Sequence, residues 1–202
     1  MITRGKFIVF EGGEGCGKTT QSQRLADRLG AVLTRQPGGT ALGARLREVL
    51  LSPGTGEIDP RAEALLMAAD RAQHTAELIR PALDAGSHVV CDRYVGSSVA
   101  YQGFGRGLDP DGVAALSGWA TDNLWPDLVV LLTVPAEVSA ARLGPDLDRF
   151  ESAGDDFHRR VAEGFITQAR NDPARWVVID GTASIDEVAA AVDAAVAERV
   201  AL

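Results

Sequence analysis

One stretch near the start constrains this chain more than any other. Lys6-Phe-Ile-Val-Phe10 is an apolar run that reads as a buried strand. Glu11 follows, and Gly12-Gly-Glu-Gly-Cys-Gly-Lys-Thr19 matches G-x-x-x-x-G-K-[ST], the pattern of a phosphate-binding loop. Residues Thr19 to Leu29 then read as a helix stopped by Gly30. Glycines at 12, 13, 15 and 17 let the backbone turn its N–H groups inward around an anion, with Glu14 and Cys16 between them. The following helix aims its positive end at the same spot. Lys18 adds a full charge for the β- and γ-phosphates, and the Thr19 hydroxyl is placed to ligate the Mg²⁺ that accompanies them. Strand, loop and helix thus occur in the context the motif requires.

The length of 202 residues suits one domain, taken here as 1–202. A net charge of −8 argues against a broad nucleic-acid surface, so any phosphate must be held by local cations and main chain against the overall field. Cys16 and Cys91 have neither ligand spacing nor a partner motif and read as small residues filling tight places. The first residues run directly into the first strand without a signal-peptide pattern, and no apolar run reaches the ~20 residues of a membrane helix. A cytoplasmic enzyme without membrane contact is the expectation.

Further along, Ala31 to Thr34 is a strand candidate running into a turn at Pro37-Gly38-Gly39. Leu42, Leu46, Val49 and Leu50 recur at helical spacing, and 52–59 is a loop. The longest helical stretch runs from Arg61 to Ala85, with Leu65, Leu66, Ala69, Ala72, Ala76 and Ile79 along one face and a possible kink at Pro81. His88 to Cys91 is a strand candidate followed at once by Asp92-Arg93. A helix after Asp111 ends before Pro126. Leu128 to Val134 has the β-branched, uninterrupted character of a strand covered on both faces. A segment from Arg142 to Gly154 mixes charge with Gly144 and Pro145 and reads as a mobile lid between helices. A helix over 155–170, a strand from Trp176 to Asp180, and a last helix opened by a Ser184/Glu187 capping box complete the chain. The last helix repeats Ile185, Val188, Val192 and Val196 at helical spacing. Strands alternating with helices predict an α/β fold on a five-stranded parallel sheet, helices on both faces, with ligands at the carboxyl ends of the strands.

A phosphate loop alone implies a nucleoside triphosphate and leaves open a small-molecule kinase, a GTPase-type switch or an ATP-driven motor. No N-K-x-D guanine-reading motif occurs. Asp92 is followed by a second cation, Arg93, beside a place already built for phosphate, and two facing anion sites imply transfer between phosphates.

At this point the chain resembles a known family. Val90-Cys-Asp-Arg-Tyr-Val-Gly-Ser-Ser-Val-Ala-Tyr-Gln102 is similar to the signature of thymidylate kinases, P-loop nucleoside monophosphate kinases that phosphorylate dTMP to dTDP with ATP and so supply dTTP for DNA synthesis. Arg35-Gln-Pro-Gly-Gly-Thr40, Ala68-Ala-Asp-Arg-Ala-Gln-His74, Tyr101-Gln-Gly-Phe-Gly-Arg-Gly107 and Leu147-Asp-Arg-Phe-Glu151 resemble further family segments in the family's order. The resemblance implies that Arg93 and Arg35 hold the dTMP phosphate, and that Arg71, with Ser98 or Gln102, bonds the thymine edge. Tyr101 is implied to pack on the deoxyribose and exclude a 2′-hydroxyl. Glu14 is implied to lie near sugar and metal, and Asp92 to support Mg²⁺ through water, position Arg93 or serve only as an ion-pair partner. The family takes a catalytic arginine from the phosphate loop or the lid. Residues 13–16 carry none, so Arg149 and Arg142 are the lid candidates. ATP, dTMP, Mg²⁺ and a second copy in a homodimer are the implied partners. A kinase for another nucleoside monophosphate or a deoxynucleoside, and a catalytically silent nucleotide-binding regulator, are the rival readings.

Three positions and the lid depart from the family pattern. Met67 stands where many members stack a phenylalanine on thymine, and Gln36 replaces the glutamate of R-E-P-G-G-T. The lid carries few arginines, and Phe165 stands where a tyrosine is common.

Overall fold

The structure, a computed structural model, describes residues 3–144 and 147–200. Its centre is β1 (Phe7–Glu11), in which every residue is buried. Around it, β2 (Val32–Arg35), β3 (Val89–Asp92), β4 (Leu128–Thr133) and β5 (Trp176–Asp180) form one sheet of order β2-β3-β1-β4-β5, all pairs parallel. Side chains alternate across it. Ile8, Phe10, Val90, Leu128, Val130 and Leu132 pack on one face with α1 (Lys18–Leu29) and α9 (Ile185–Arg199). Phe7, Val9, Val89 and Cys91 pack on the other. Both faces are covered, which is why the strand sequences are apolar without alternation. Cys16 and Cys91 are free and buried, one in each of these two clusters.

The chain reverses its direction of winding beside β1, so the segment after β1 opens into a crevice between neighbours. Register places Phe10 opposite Asp92, and Arg35 opposite Asp92 on the other side. The motif-bearing residues are thereby delivered to one edge.

The second face is built by α2 (Ala41–Leu51), α3 (Pro60–His74), a π-helical turn Thr75–Ile79 and α4 (Arg80–Asp84). Then come α5 (Val95–Ser98), a π-helix Val99–Gly105 and α6 (Pro110–Ala120). After β4 come α7 (Ala136–Arg142) and α8 (Asp155–Asn171). The reciprocal capping box that starts α9 is present, Ser184 N donating to Glu187 Oε2 at 3.0 Å and Glu187 N to Ser184 Oγ at 3.3 Å.

Several helical expectations are corrected. The apolar face assigned to 61–85 is only partly the buried one: Ile79 is buried, but Leu65 is 58 % exposed and Ala69 and Ala76 face solvent. Instead α3 buries Glu63, Asp70, Arg71 and His74 beside Ala64 and Ala68. A helix that turns its charges inward has its polarity pattern inverted, so hydrophobic spacing picks the wrong side. On α2, Leu42 and Val49 are exposed and only Gly43 and Leu50 are buried. Ile185 is exposed as well. Before Pro81, where a kink is expected, the helix passes through the π-helical turn Thr75–Ile79 and resumes as α4 with Pro81 in its first turn. The helical segment over 95–105 has no counterpart in the sequence reading. Of the lid expectation, Pro145 lies outside the described residues.

Candidate active site

The loop after β1 is shaped by its glycines. Gly12, Gly15 and Gly17 take positive φ, whereas Gly13 does not and has open space at its Cβ position. At Gly12 a Cβ would lie 2.3 Å from the Leu132 carbonyl oxygen, so no side chain fits there. Gly17 precedes α1, so the first-turn N–H groups face the loop. Lys18 is buried and donates from Nζ to the Gly13 carbonyl at 2.6 Å. Helix α7 braces the loop from outside, Ser139 Oγ donating to the Glu14 carbonyl at 2.7 Å and Arg142 to the Gly15 carbonyl at 3.2 Å.

Thr19 Oγ1 donates to Asp92 Oδ2 at 2.7 Å. Asp92 Oδ1 is buried and has no hydrogen-bond partner among the described residues. An acceptor left unpaired beside a hydroxyl is a fit for a divalent cation, which takes hard oxygen ligands. No group of three or more metal-ligating side chains occurs among the described residues, so nucleotide phosphates and water would have to complete the shell.

Arg93 joins the loop to the rest of the cleft. It sits at φ 70°, a conformation rare for a side-chain-bearing residue, and donates to the Gly12 carbonyl at 2.8 Å, Ser97 Oγ at 3.2 Å and Glu14 Oε1 at 2.6 Å. Tyr101 donates its hydroxyl to the same Glu14 oxygen at 2.7 Å, with the Arg93 guanidinium 5.2 Å from its ring centre. Burial would raise the Glu14 carboxyl, but Arg93, then Lys18 and the Tyr101 hydroxyl, bring it down to about 2. For Arg93, burial acts downward, and Glu14 overcomes it to push the guanidinium up. Beneath lies Glu11, fully buried, accepting from Tyr94 N and Ser97 N at 3.0 Å each and from Ser97 Oγ at 2.6 Å. It pins the start of α5, and burial pushes its carboxyl up despite those bonds.

A second cavity opens beside this pair. Glu14, Met67, Arg71, Arg93, Ser98, Tyr101 and Gln102 all line it, so the residues singled out from one end of the chain to the middle converge here. Arg71 is buried, donating from Nε to Gln36 Oε1 at 3.0 Å and from its terminal nitrogens to Ser117 Oγ at 3.2 Å, the Tyr94 carbonyl at 3.1 Å and Ser98 Oγ at 2.9 Å. Among the described residues it has no ion-pair partner, and burial lowers its guanidinium. Gln36 also donates Nε2 to His74 Nδ1 at 2.9 Å, which leaves His74 Nε2 to donate to Thr34 Oγ1 at 2.7 Å. An amide in place of the expected glutamate therefore still orients Arg71 while accommodating a neutral imidazole. Burial, with Arg71 next, lowers the His74 imidazole to about 4. Gly39 is needed against that ring, because a Cβ there would lie 2.4 Å from His74 Nε2.

Not every candidate arrives at the cleft. Arg35 stays exposed at the end of β2 and does not line the cavity; Arg47 does, held by the Pro37 carbonyl at 3.0 Å. Arg149 is turned away from the phosphate loop, donating to the Leu50 carbonyl at 2.8 Å and pairing with buried Glu63. Arg142, at the loop, occupies the position Arg149 does not. Phe165 is buried with Phe150 and Phe157 around Tyr101 rather than at the cavity. Sequence reasoning passed over Glu11, Arg47, Ser97 and Asp148. Glu11 carried a visible signal as an acid closing an apolar strand, and Ser97 and Asp148 lie inside family-like segments; Arg47 reaches the cleft through tertiary packing alone.

A phosphate loop at the switch point of a parallel sheet, with a second charged cavity sharing its arginine, defines the P-loop phosphotransferases that work on two nucleotides. Residues 10–192 match the family model described as Thymidylate kinase. Similar proteins include the thymidylate kinase of Bifidobacterium longum strain NCC 2705, 50% identical with 96% of this chain and 98% of that one covered. The thymidylate kinase of Deinococcus radiodurans is 48% identical, with 98% and 99% covered. The crystal structure of thymidylate kinase from Ehrlichia chaffeensis superposes with a TM-score of 0.81 at 32% identity, covering 96% of this chain and 99% of that one. The chain belongs to the thymidylate kinase family.

Proposed function

We propose that this protein transfers the γ-phosphoryl group of ATP to the phosphate of dTMP, yielding ADP and dTDP. The observation that carries the reading is Arg93, which bonds the phosphate loop through Gly12 and Glu14 and lines the neighbouring cavity at once. One guanidinium shared by two anion sites is what alignment of a donor and an acceptor phosphate needs. An acceptor phosphate oxygen forms the new bond to the γ-phosphorus as the bond to the β–γ bridging oxygen breaks, and ADP leaves with that electron pair. Lys18 and the N–H groups of the loop balance the donor phosphates, and Arg93 the acceptor, with Arg47 beside it. Mg²⁺, held through Thr19 and Asp92, would supply charge neutralisation between the phosphates.

In the acceptor cavity, Arg71 serves the thymine carbonyl edge, Gln102 offers an acceptor, and Met67 lies against the base as an adaptable thioether. The Tyr101 ring closes the space a 2′-hydroxyl would need. Of the two lid arginines, Arg142 is the one assigned to the transferring phosphoryl group, with residues 142–154 acting as the closing segment that keeps water out. A second copy of the chain is the expected partner. Leu42, Val49 and Leu65 on the packed pair α2 and α3, together with Trp119 at 82 % exposure on α6, favour that assembly. The cytoplasm is the expected compartment.

A coupled assay with an acceptor panel tests this. Rapid ATP consumption with dTMP, slow consumption with UMP and little without acceptor are expected. Equal rates on dTMP and UMP would remove the role given to Tyr101, and acceptor-independent consumption would remove the transfer itself.

A further inference from the structure

Glu63 on α3 has no exposed surface, and side chains from three other places in the chain aim donors at it. Gln102 Nε2 donates to Oε1 at 2.9 Å, and Arg106 spans both oxygens at 3.2 Å each. Arg149 pairs with Oε2. Glu63 does not line the nucleotide cavity, but Gln102 does. A carboxylate facing two guanidinium groups only accepts, so Gln102 has to turn its amide nitrogen toward it. That fixes the other end of the amide. Gln102 Oε1 is buried and has no hydrogen-bond partner among the described residues. A buried acceptor of this kind is costly unless something else satisfies it.

We propose that Glu63 is a positioning residue for base selection: it sets which end of the Gln102 amide is left for the nucleobase. The inference rests on the dTMP reading above. With Glu63 in place, this wall of the cavity is an acceptor. It matches thymine, whose N3 carries a hydrogen, and opposes cytosine, whose N3 is a lone pair. Arg71 cannot make this choice. Four of its donated bonds already go to Gln36, Ser117, Tyr94 and Ser98, and a guanidinium has no acceptor to offer. The Ser98 hydroxyl accepts from Arg71 and, still able both to donate and to accept, does not discriminate between the two bases either. The same carboxylate anchors Arg149, so the lid segment and the base-reading amide share one support.

Glu63→Gln tests the idea. The new carbonyl stays with Arg149 and the terminal nitrogen of Arg106, its amide nitrogen replaces the oxygen shared by Gln102 and Arg106 Nε, and Gln102 has to turn Oε1 toward it, leaving a donor for the base. Dissociation constants for dTMP and dCMP, measured by calorimetry without ATP, should show their ratio falling about tenfold or more relative to the parent. A ratio within twofold of the parent's, even with both ligands weakened, would make Glu63 a structural anchor only and overturn the proposal. So would a parent that binds the two nucleotides equally. If the single variant fails to fold, Glu63→Gln with Arg149→Met returns the cluster to its original net charge, and the same ratio decides. Because the readout is binding, a parent that selects dTMP yet fails to phosphorylate it would sink the transferase reading alone. A parent that turns over dTMP, paired with a variant of unchanged ratio, would sink only this inference.

Discussion

The two halves of the cleft are made from different materials. On the donor side the contacts are main-chain groups: N–H vectors of the loop, carbonyls of Gly12, Gly13 and Gly15, and glycine conformations that no other residue adopts easily. On the acceptor side they are buried side chains, with Arg71, Gln36, His74, Gln102 and Glu63 bonded to one another and only Gln102 Oε1 among them left without a partner among the described residues. Main chain held by a strand and a helix tolerates variation in neighbouring side chains. A buried polar network does not, because each member removed leaves its partner unpaired. The donor side is thus common property of a large class of folds, and the roles proposed above put the choice of substrate on the acceptor side.

Arg93 is where the two halves meet, and its removal should have the largest effect. Arg93→Ala is expected to lower kcat/KM by roughly a thousandfold or more, the scale seen for arginines that stabilise phosphoryl transfer. Single-turnover kinetics with saturating ATP and dTMP checks this. A loss confined to KM for dTMP would place Arg93 on the acceptor side only and break the claim that it serves both.

Next come the two lid arginines. On the role proposed for it at the reacting phosphates, Arg142→Ala is expected to lower kcat by about a hundredfold with little change in melting temperature. Arg149→Ala should do the reverse. It leaves Glu63 with one fewer cation in a dry site, a loss on the order of 3 kcal/mol, with a smaller effect on kcat. Denaturant melts run beside steady-state kinetics separate the two, and exchanged behaviour would reverse the assignment.

Acid should act on the acceptor network before the donor loop. The His74 imidazole, at about 4 in the fold against 6.5 when free, binds fewer protons folded than unfolded between those values. Stability is then full above about pH 6.5 and falls as pH drops toward 4, by on the order of 3 kcal/mol across the window. Glu14, lowered from 4.5 to about 2, contributes stability present above 4.5 and lost as pH falls toward 2, a lower window. Asp70 and Glu11, raised by burial, work in the opposite sense. Comparing urea midpoints at pH 7 and pH 5 for the parent and His74→Gln isolates the imidazole. The variant should lose most of the acid sensitivity, and an unchanged slope would remove His74 from the account.

The same division explains what the chain discloses before it folds. The loop from Gly12 to Thr19 is contiguous, its residues act through local backbone geometry, and the apolar strands around it carry their burial openly. The sheet and its ligand edge were readable for that reason. On α3 the hydrophobic spacing failed, although the family resemblance turned Arg71 toward the cleft, because Glu63, Asp70, Arg71 and His74 face inward and the exposed leucine at 65 turns out. What buries those charges is supplied by residues far along the chain: Arg106 and Arg149 for Glu63, and Gln36 for His74. Nothing local in the helix announces such partners. Arg149 misleads by the same logic, since a lid arginine and an arginine paired with a buried acid look alike in sequence.

The smallest expected effect tests whether Tyr101 belongs to one half or both. Its hydroxyl bonds Glu14, and its ring is packed edge-on by Phe150, Phe157 and Phe165, with centroids 5.6 to 6.1 Å away. In Tyr101→Phe the ring keeps its seat, while Glu14 retains Arg93 and loses one donor. The cost should be about 1 kcal/mol in stability, with kcat for dTMP within about tenfold of the parent. Preference for dTMP over its ribose counterpart should stay within about twofold, because the proposed exclusion of a 2′-hydroxyl rests on ring volume and not on the phenol group. Measured kcat/KM for both acceptors decides the matter. A collapse of that preference would mean that the hydroxyl, through Glu14, reads the sugar, and that the loop residue helps select the acceptor.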